Sequence, residues 1–273
     1  MSYVTMDARP VDFILCQYGN SKNLFRGPKK FCKHTYGVCL GGADTFGGKV
    51  PDPFSAMLER EMGMPILNLG AQHSGAGFYI EDDAIHEIIE NAQVIFVEAP
   101  SVVNQSNPFY RVHPRRNDRF VTALGPLYDL FPEADFVECH FTKHLITKLV
   151  RIDAARADIV FHTLQDEWVR NLTIMRARWR AKTVVHGYKK PQASHPEFEF
   201  PVADLIGFYP ELYNAVSQVQ DQIVSIKLGM SHMHASQCDH QQIGQRLMDA
   251  LDNQIFGRFA LEFPCLASYP QRR

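Results

Sequence analysis

The most constraining feature of this sequence is a series of short apolar segments separated by stretches with helical signals. Residues 38–41, 65–70 (PILNLG) and 93–99 (QVIFVEA) are apolar runs of strand length. Between them, the dipeptide Asp52-Pro53 is typical of a helix start, and 82–91 (DDAIHEIIEN) has apolar residues at helical spacing. Strands joined by helices of this length form right-handed βαβ units, so the pattern predicts a parallel sheet.

The pattern is interrupted and then resumes. Residues 100–160 are rich in proline, arginine, histidine and aromatic residues, and we interpret them as an insertion over the sheet edge. Residues 181–188 and 221–229 predict a fourth and a fifth strand, and 241–255 the last helix. The sequence therefore predicts a single α/β domain over 1–273, a three-layer αβα sandwich with about five parallel strands and an insertion after the third.

Helices are also expected within and after the insertion. Residues near 120–131 and 141–151 are candidates inside it. Thr163 with Asp166 three residues later has the form of a capping box that opens a further helix. Large apolar residues recur in it at helical spacing, which predicts core packing: Leu164, Trp168, Leu172, Met175 and Trp179.

Composition excludes several classes of protein. The net charge of −2 argues against a generally basic nucleic-acid-binding protein. The N-terminal residues lack a charged stretch followed by an apolar core, and no apolar run reaches the roughly 18 residues of a membrane span, so we expect neither a signal peptide nor a membrane partner. The six cysteines contain no C-x-x-C pair, which favours reduced thiols in a cytoplasmic protein. No pattern predicts a cofactor or an oligomeric state.

Ligands of parallel α/β sheets bind at the carboxyl ends of the strands, which selects a few loops. The first, LGGADTFGG, follows the first strand and supplies Gly42, Asp44 and Thr45. Its backbone N–H groups, close to a helix start, could cradle an anion. The alternative is a tight turn in which the two polar side chains bond to the local backbone.

Two further loops carry polar candidates. Gly70 lets the backbone approach a neighbouring loop or a ligand, while Asn68 and His73 in the same region are individually expected to be structural. Asn104 or Asn107 follows the third strand and could donate an amide to a developing oxyanion. The alternative for either asparagine is a turn of the Asx type.

The densest polar and aromatic run is FYRVHPRRNDRF, residues 109–120. Arginine forks suit carboxylate, phosphate or sulfate groups, so Tyr110, His113, Arg115 and Arg116 are candidates for contact with an anion or a sugar. The alternative is a solvated loop with ion pairs such as those to Asp118.

Residues 231–240 (SHMHASQCDH) contain histidine, cysteine and aspartate, the residue types of zinc sites. The spacing of His232, His234, Cys238 and His240 fits no metal geometry that we can identify, so no metal site is predicted. Asp239 with Gln242 three residues later resembles a helix cap. A single functional histidine, His240, at the start of the last helix and facing the first loop is the more economical interpretation.

Taken together, these loops resemble the SGNH hydrolases, the GDSL-like esterases and their acyl-transferring relatives. Gly41 to Gly47 matches the outline of their first block, Gly70 the second and Asn104 loosely the third, while His240 matches the last. The resemblance covers about 38–107 and 221–256 and implies an αβα fold, SGNH- or flavodoxin-like.

The departures from that family concern the reacting groups. The position of the nucleophilic serine is Ala43, which has no hydroxyl to activate. The residue three before His240 is Gln237 instead of aspartate, so the histidine lacks its orienting carboxylate. A Ser-His-Asp esterase is therefore not expected.

The whole chain is more closely similar to an uncharacterised bacterial family, a domain of unknown function. The similarity rests on Tyr18-Gly19 with Ser21, on the run from Phe25 to Pro28, on the Gly41 to Gly47 turn and on Phe109 to Phe120. It implies that an acidic residue and a threonine, here Asp44 and Thr45, are what the family presents in the turn.

Three hypotheses follow. The first, which we favour, is a hydrolase or group transferase acting on a carbohydrate or on an acylated or anionic conjugate. Its catalytic residues would be Asp44, Thr45, Asn104 and His240, and its substrate would contact Gly42, Gly70, Arg26, Tyr110, His113, Arg115 and Arg116. The second is a non-catalytic protein that binds a glycan or small anion at the same loops. The third is a metal-dependent hydrolase that uses the 231–240 run.

Overall fold

The computed structural model describes residues 11–32, 34–179, 181–189, 222–227 and 235–255. Its central sheet is parallel and consists of β3 (Gly37–Leu40), β4 (Ile66–Asn68), β5 (Val94–Glu98), β8 (Lys182–Lys189) and β9 (Gln222–Lys227). The spatial order is β4-β3-β5-β8-β9. These five strands are the ones that the apolar runs predict, with bounds that differ by one or two residues.

Helices connect the strands as expected for βαβ units. They are α1 (Ala43–Phe46), α2 (Phe54–Met62), α3 (Ala76–Glu81), α4 (Asp83–Glu90), α5 (Gly125–Leu130), α6 (Thr142–Ile152), α7 (Ala154–Arg178) and α8 (Gln237–Ile255). The predicted helices at 82–91, 141–151 and 241–255 correspond to α4, α6 and α8.

Successive strand residues point to opposite faces of the sheet, and each face has its own helices. Leu40 and Val97 belong to a large core cluster with α3, α4, α6 and α7. Cys39 and Phe96, their neighbours in sequence, belong to a second cluster with α2 and α8. The predicted three-layer αβα architecture is therefore confirmed.

The segment after β5 differs from its prediction. Residues 120–123 end a strand instead of starting a helix, because β7 (Arg116–Ala123) pairs with β6 (Tyr110–His113) as an antiparallel hairpin. The expected helix at 163 begins at Ala154, since the side chain of Asp153 accepts a hydrogen bond from the N–H of Arg156 (3.0 Å) and caps it there.

A small N-terminal ladder pairs β1 (Leu15–Cys16) with β2 (Phe25–Arg26). The described cysteines are free thiols: Cys16, Cys32, Cys39, Cys139 and Cys238. None of the helices in the described ranges is long and apolar enough to cross a membrane. The cytoplasmic location stays a prediction.

The strand order creates one topological switch point. After β3 the chain moves to β4 on one side, and it then returns to place β5 on the other side of β3. The loops that leave β3 and β5 therefore diverge, and the gap between them is where such sheets bind ligands. This gap lies between the turn after Leu40 and the end of β5 at Glu98.

We expect Gly70→Ala to destabilise the fold by about 2–3 kcal/mol, because a Cβ there would overlap backbone atoms of Thr45 and Phe46, which cannot move aside easily. Gly244→Ala is the matched control. Its Cβ would meet the flexible end of the Met57 side chain, and alanine favours the helix, so its cost should be near zero. Urea unfolding of both variants measures this, and equal destabilisation would contradict the role given to Gly70.

Candidate functional site

Glu98, the last residue of β5, holds the turn that follows β3. Its Oε2 accepts hydrogen bonds from the N–H groups of Gly42 (3.0 Å) and Thr45 (2.9 Å) and from the hydroxyl of Thr45 (2.6 Å). A Cβ on Gly41 would overlap the Glu98 side chain, so the close approach requires glycine. Because Glu98 ends β5 and bonds to the turn after β3, its carboxylate lies at the switch point. The residue is partly exposed.

This contact changes the interpretation of the glycine-rich turn. The N–H groups of Gly42 and Thr45, which the sequence offers to an anion, are occupied by a carboxylate of the protein itself. The Thr45 hydroxyl is fully buried and donates to the same carboxylate. Sequence reasoning missed Glu98, although a lone acidic residue that ends an all-apolar strand is a recognisable signal.

Asp44 lies on the α8 side of the turn. Its Oδ1 accepts a hydrogen bond from the N–H of Ala235 (3.0 Å), two residues before α8 begins. The side chain is buried, with 3% of the residue exposed. Asp44 therefore ties the turn after β3 to the start of the last helix.

His240 lies close enough to Asp44 on the first loop to be affected by its charge, but it is inside the core. Its Nδ1 accepts a hydrogen bond from the N–H of Phe54 (3.1 Å), and its ring stacks on the Phe54 ring at 5.8 Å. His186, within β8, meets the same phenylalanine edge-on. Burial lowers the pKa of His240 to about 4, against the opposing effect of Asp44.

The tautomer of His240 follows from that contact. Because Nδ1 is an acceptor, the proton of the neutral ring resides on Nε2. A histidine that activates a nucleophile needs the reverse, a proton on Nδ1 and a lone pair on Nε2. His240, with 1% of its surface exposed, is therefore placed as a core residue.

The start of α8 is capped locally. Asp239 Oδ2 accepts from the N–H (2.8 Å) and hydroxyl (2.7 Å) of Ser236, so Ser236 is the cap and Asp239 its partner three residues later. In the described ranges no three histidine, cysteine or acidic residues form a group that could hold a metal ion. His232 and His234 lie outside those ranges.

The two asparagines after β5 have different roles. Asn107 is buried, and its Oδ1 accepts from the N–H groups of Phe109 (2.9 Å) and Tyr110 (3.2 Å), which is the Asx-type turn of the alternative interpretation. Asn104 is partly exposed, and its Oδ1 accepts from the hydroxyl of Thr142 (2.7 Å).

Gly70 is buried and packs against the backbone of the first loop. Its N–H donates to Oδ1 of Asn68 (2.9 Å), whose Nδ2 donates to the Thr45 carbonyl (2.8 Å) and to Ser55 Oγ (3.0 Å). Gly70 thus allows the close approach of the two backbones, and Asn68 bridges the two loops and α2.

Two predicted substrate contacts are buried elsewhere. The guanidinium of Arg26 donates to backbone carbonyls, including those of Val50 (2.9 Å) and Pro51 (3.0 Å), and burial lowers its pKa. It also borders a groove of about 610 Å³ beside α2. Tyr110 is completely buried and donates its hydroxyl to the Val103 carbonyl (2.8 Å), so it offers a ligand no surface.

The remaining basic candidates lie at the tip of the β6–β7 hairpin. The Arg115 N–H donates to Nδ1 of His113 (3.2 Å), and Arg116 forms an ion pair with Asp118 (3.0 Å). Asp118 also faces His73 in the loop after β4, at 3.4 Å. The hairpin tip therefore forms a rim next to that loop, while Asp44 and His240 lie apart on the α8 side.

Folding should become less favourable as the pH falls from about 6.5 to 4. In that window His240 is protonated in the unfolded chain but neutral in the folded one, so acid favours unfolding, by on the order of 3 kcal/mol in total. His240→Asn, which keeps an acceptor near the Phe54 N–H, should flatten this dependence; some slope should remain, because burial lowers the pKa of His186 to about 3.

Urea unfolding at pH 7 and pH 5 provides the measurement, with His162→Asn as the control, since that histidine is 74% exposed. An unchanged pH dependence in His240→Asn would contradict the buried, neutral state of the ring.

Three solved structures with related folds are a protein from Lactobacillus plantarum, a carbohydrate esterase family 2 enzyme from Corynascus thermopiles (Myceliophthora fergusii), and LAE5, an alpha/beta hydrolase enzyme from the metagenome of Lake Arreo. Their sequence identities are 16%, 9% and 11%, and their TM-scores 0.43, 0.44 and 0.43. The matches cover 81%, 85% and 81% of this chain, and 97%, 70% and 97% of those chains. Likeness this distant carries no inference about activity.

No functionally curated protein matches the sequence significantly. A protein-family model with the description "Domain of unknown function (DUF6473)" matches residues 1–259. The chain therefore belongs to the DUF6473 family.

Proposed function

We propose that the protein is a hydrolase or group transferase that acts on an acylated carbohydrate at the switch point beside Glu98. The position of Glu98 supports this proposal most directly. It is a partly exposed carboxylate at the edge of a parallel sheet, in the gap where ligands of such folds bind. The glycine-rich turn holds it there through three hydrogen bonds to one oxygen.

The same contact favours a neutral, hydroxyl-rich ligand over an anion. A phosphate or sulfate at this turn would meet the charge of Glu98, while the N–H groups that would bind it are already engaged. A sugar hydroxyl can donate to a carboxylate and accept from an amide. Glu98 and the partly exposed Asn104 supply these two kinds of group.

Asn104 is suited to stabilise an oxyanion. Its Oδ1 is engaged by the hydroxyl of Thr142, which orients the amide so that Nδ2, with its two N–H donors, points away from Thr142. An amide donor held in place beforehand favours the transition state of acyl transfer. This supports ester chemistry on the bound sugar.

Asp44, Thr45 and His240 have a supporting role in this proposal. All three are almost completely buried, and their polar atoms contact Ala235, Glu98 and Phe54. They hold the turn and α8 behind Glu98 without touching the ligand.

That burial also favours a second candidate, a non-catalytic glycan-binding protein. If Asp44, Thr45 and His240 act only as core residues, the surface at Glu98 serves recognition alone. Binding without turnover distinguishes this candidate from the enzyme.

We expect the protein to release acetate from acetylated xylo-oligosaccharides, with Asn104→Ala lowering kcat about 100-fold because an oxyanion donor is lost. Glu98→Gln should weaken binding of unmodified xylotriose at least about 10-fold, since a hydrogen bond to a charged acceptor is lost. Acetate release and calorimetric titration measure the two effects, after circular dichroism has shown that the variants fold.

Glu90→Gln, an exposed change on α4, is the control for charge. Xylotriose binding without acetate release would support the non-catalytic candidate. Tighter binding of glucose 6-phosphate than of xylotriose, unchanged by Glu98→Gln, would overturn the proposal for this site.

A further inference from the structure

His73 has a strained backbone in the loop that follows β4. Its φ of 64° is positive, which holds for no other non-glycine residue among those described. The N–H of Ser74 bonds to the carbonyl of Ala71 (3.1 Å), so His73 is the third residue of a turn, a position that usually takes glycine or asparagine. Such a conformation is unfavourable for a side chain with a Cβ and persists only when the surroundings impose it.

The surroundings of this loop do impose it. The N–H of Ala71 and the hydroxyl of Ser74 both donate to the carbonyl of Gly41, each at 2.9 Å. The N–H of Gly75 donates to Oδ1 of Asn117 on the hairpin (2.6 Å). The loop of His73 is therefore attached both to Gly41, which precedes the Glu98-bound turn, and to the β6–β7 hairpin.

The ring of His73 lies beside a carboxylate. Its Nδ1 lies 3.4 Å from Oδ2 of Asp118, and Nη2 of Arg116 contacts the same oxygen at 3.0 Å. The His73 side chain is 46% exposed, whereas that of Asp118 is only 16% exposed. Nδ1 is therefore the ring nitrogen beside Asp118, and nearly half of the side chain is open to solvent.

This arrangement is the reverse of that at His240, where a backbone N–H points at Nδ1 in the core. A carboxylate at Nδ1 favours the proton there and leaves a lone pair on Nε2, which is the form a general base requires. Apo enzymes often have catalytic contacts longer than an ideal hydrogen bond, so 3.4 Å is an acceptable separation.

The predicted oxyanion donor belongs to the same group of loops. The hydroxyl of Thr142 lies 2.7 Å from Oδ1 of Asn104 and 3.3 Å from the carbonyl of Asp118. A Cβ on Gly75, two residues after His73, would overlap the carbonyl of Asn104. The base candidate, its carboxylate and the amide donor thus lie on adjacent, mutually bonded segments.

We propose that His73 is the general acid–base residue of this protein and that Asp118 is its positioning residue; this inference rests on the proposed function. Nε2 of His73 takes a proton from a water molecule as the water oxygen bonds to the acyl carbon of the ester. Asp118 stabilises the imidazolium, and Asn104 the oxyanion. The carbon–oxygen bond to the sugar then breaks, and Nε2 returns the proton to the sugar oxygen, giving a free hydroxyl and the carboxylic acid.

The orientation of the ring can be tested without any substrate. The ¹⁵N spectrum of the neutral side chain of His73, assigned by its loss in His73→Gln, should show the proton on Nδ1. Asp118→Asn should shift the population toward the Nε2–H form that free histidine prefers. A wild-type ring with its proton on Nε2 would overturn the inference.

The catalytic role is tested by acetate release from acetylated xylo-oligosaccharides. His73→Gln should lower kcat about 1,000-fold and Asp118→Asn about 100-fold, with KM little changed. His162→Gln is the matched control, because His162 also faces an aspartate, Asp158 at 3.6 Å, but on the exposed surface of α7. This variant should leave kcat unchanged.

A third variant separates folding from function. His73→Gly places glycine where φ is positive, so it should be at least as stable as the wild type and yet lose turnover. Turnover that survives in His73→Gln and His73→Gly overturns the inference while the proposed function stands. A wild type that releases no acetate removes the proposed function and this inference with it.

Discussion

The structure depends on one carboxylate that lies where a ligand would be expected. Glu98 accepts two backbone N–H groups and a hydroxyl on a single oxygen, and it thereby satisfies donors of the turn after β3 that would otherwise be unpaired at the edge of the sheet. Charged acceptors form stronger hydrogen bonds than neutral ones. The turn therefore holds its shape without a ligand. Within it, the side chain of Asp44 bonds to the N–H of Ala235 before α8, and that of Thr45 bonds to Glu98.

The two sides of that turn differ in burial, and this difference decides whether a histidine there can carry a charge. On the α8 side, Asp44, His186 and His240 lie among apolar residues around Phe54, where burial keeps the imidazoles neutral. On the other side, the loop of His73 meets the β6–β7 hairpin at the surface. A histidine on this side is open to solvent and can be protonated there, whereas one in the core can be protonated only at the expense of burying a charge.

The strands could be predicted because each is a continuous apolar run bounded by turn residues, and a central parallel strand is buried on both faces. The β6–β7 hairpin could not, since the run RNDRFVTA neither alternates between apolar and polar residues nor is continuously apolar, and Pro114-Arg115 between the strands is not a typical hairpin turn. The burial of Arg26 and Tyr110 could not be predicted either. Their residue types are typical of ligand contacts, but both side chains donate to backbone carbonyls inside the fold.

By itself, the sequence determined the αβα class, the five parallel strands and the loops that meet at the switch point, because these follow from the periodicity of apolar residues along the chain. Only the tertiary structure decided which polar groups in those loops are buried and which stay open to solvent. The packing of α2 and α8 encloses Asp44 and His240, while Glu98, His73 and Asp118, from segments far apart in sequence, stay partly open to solvent. Burial and the direction of a hydrogen bond are properties of the assembled fold, and they determine which side chains are accessible and which ring nitrogen of a histidine carries the proton.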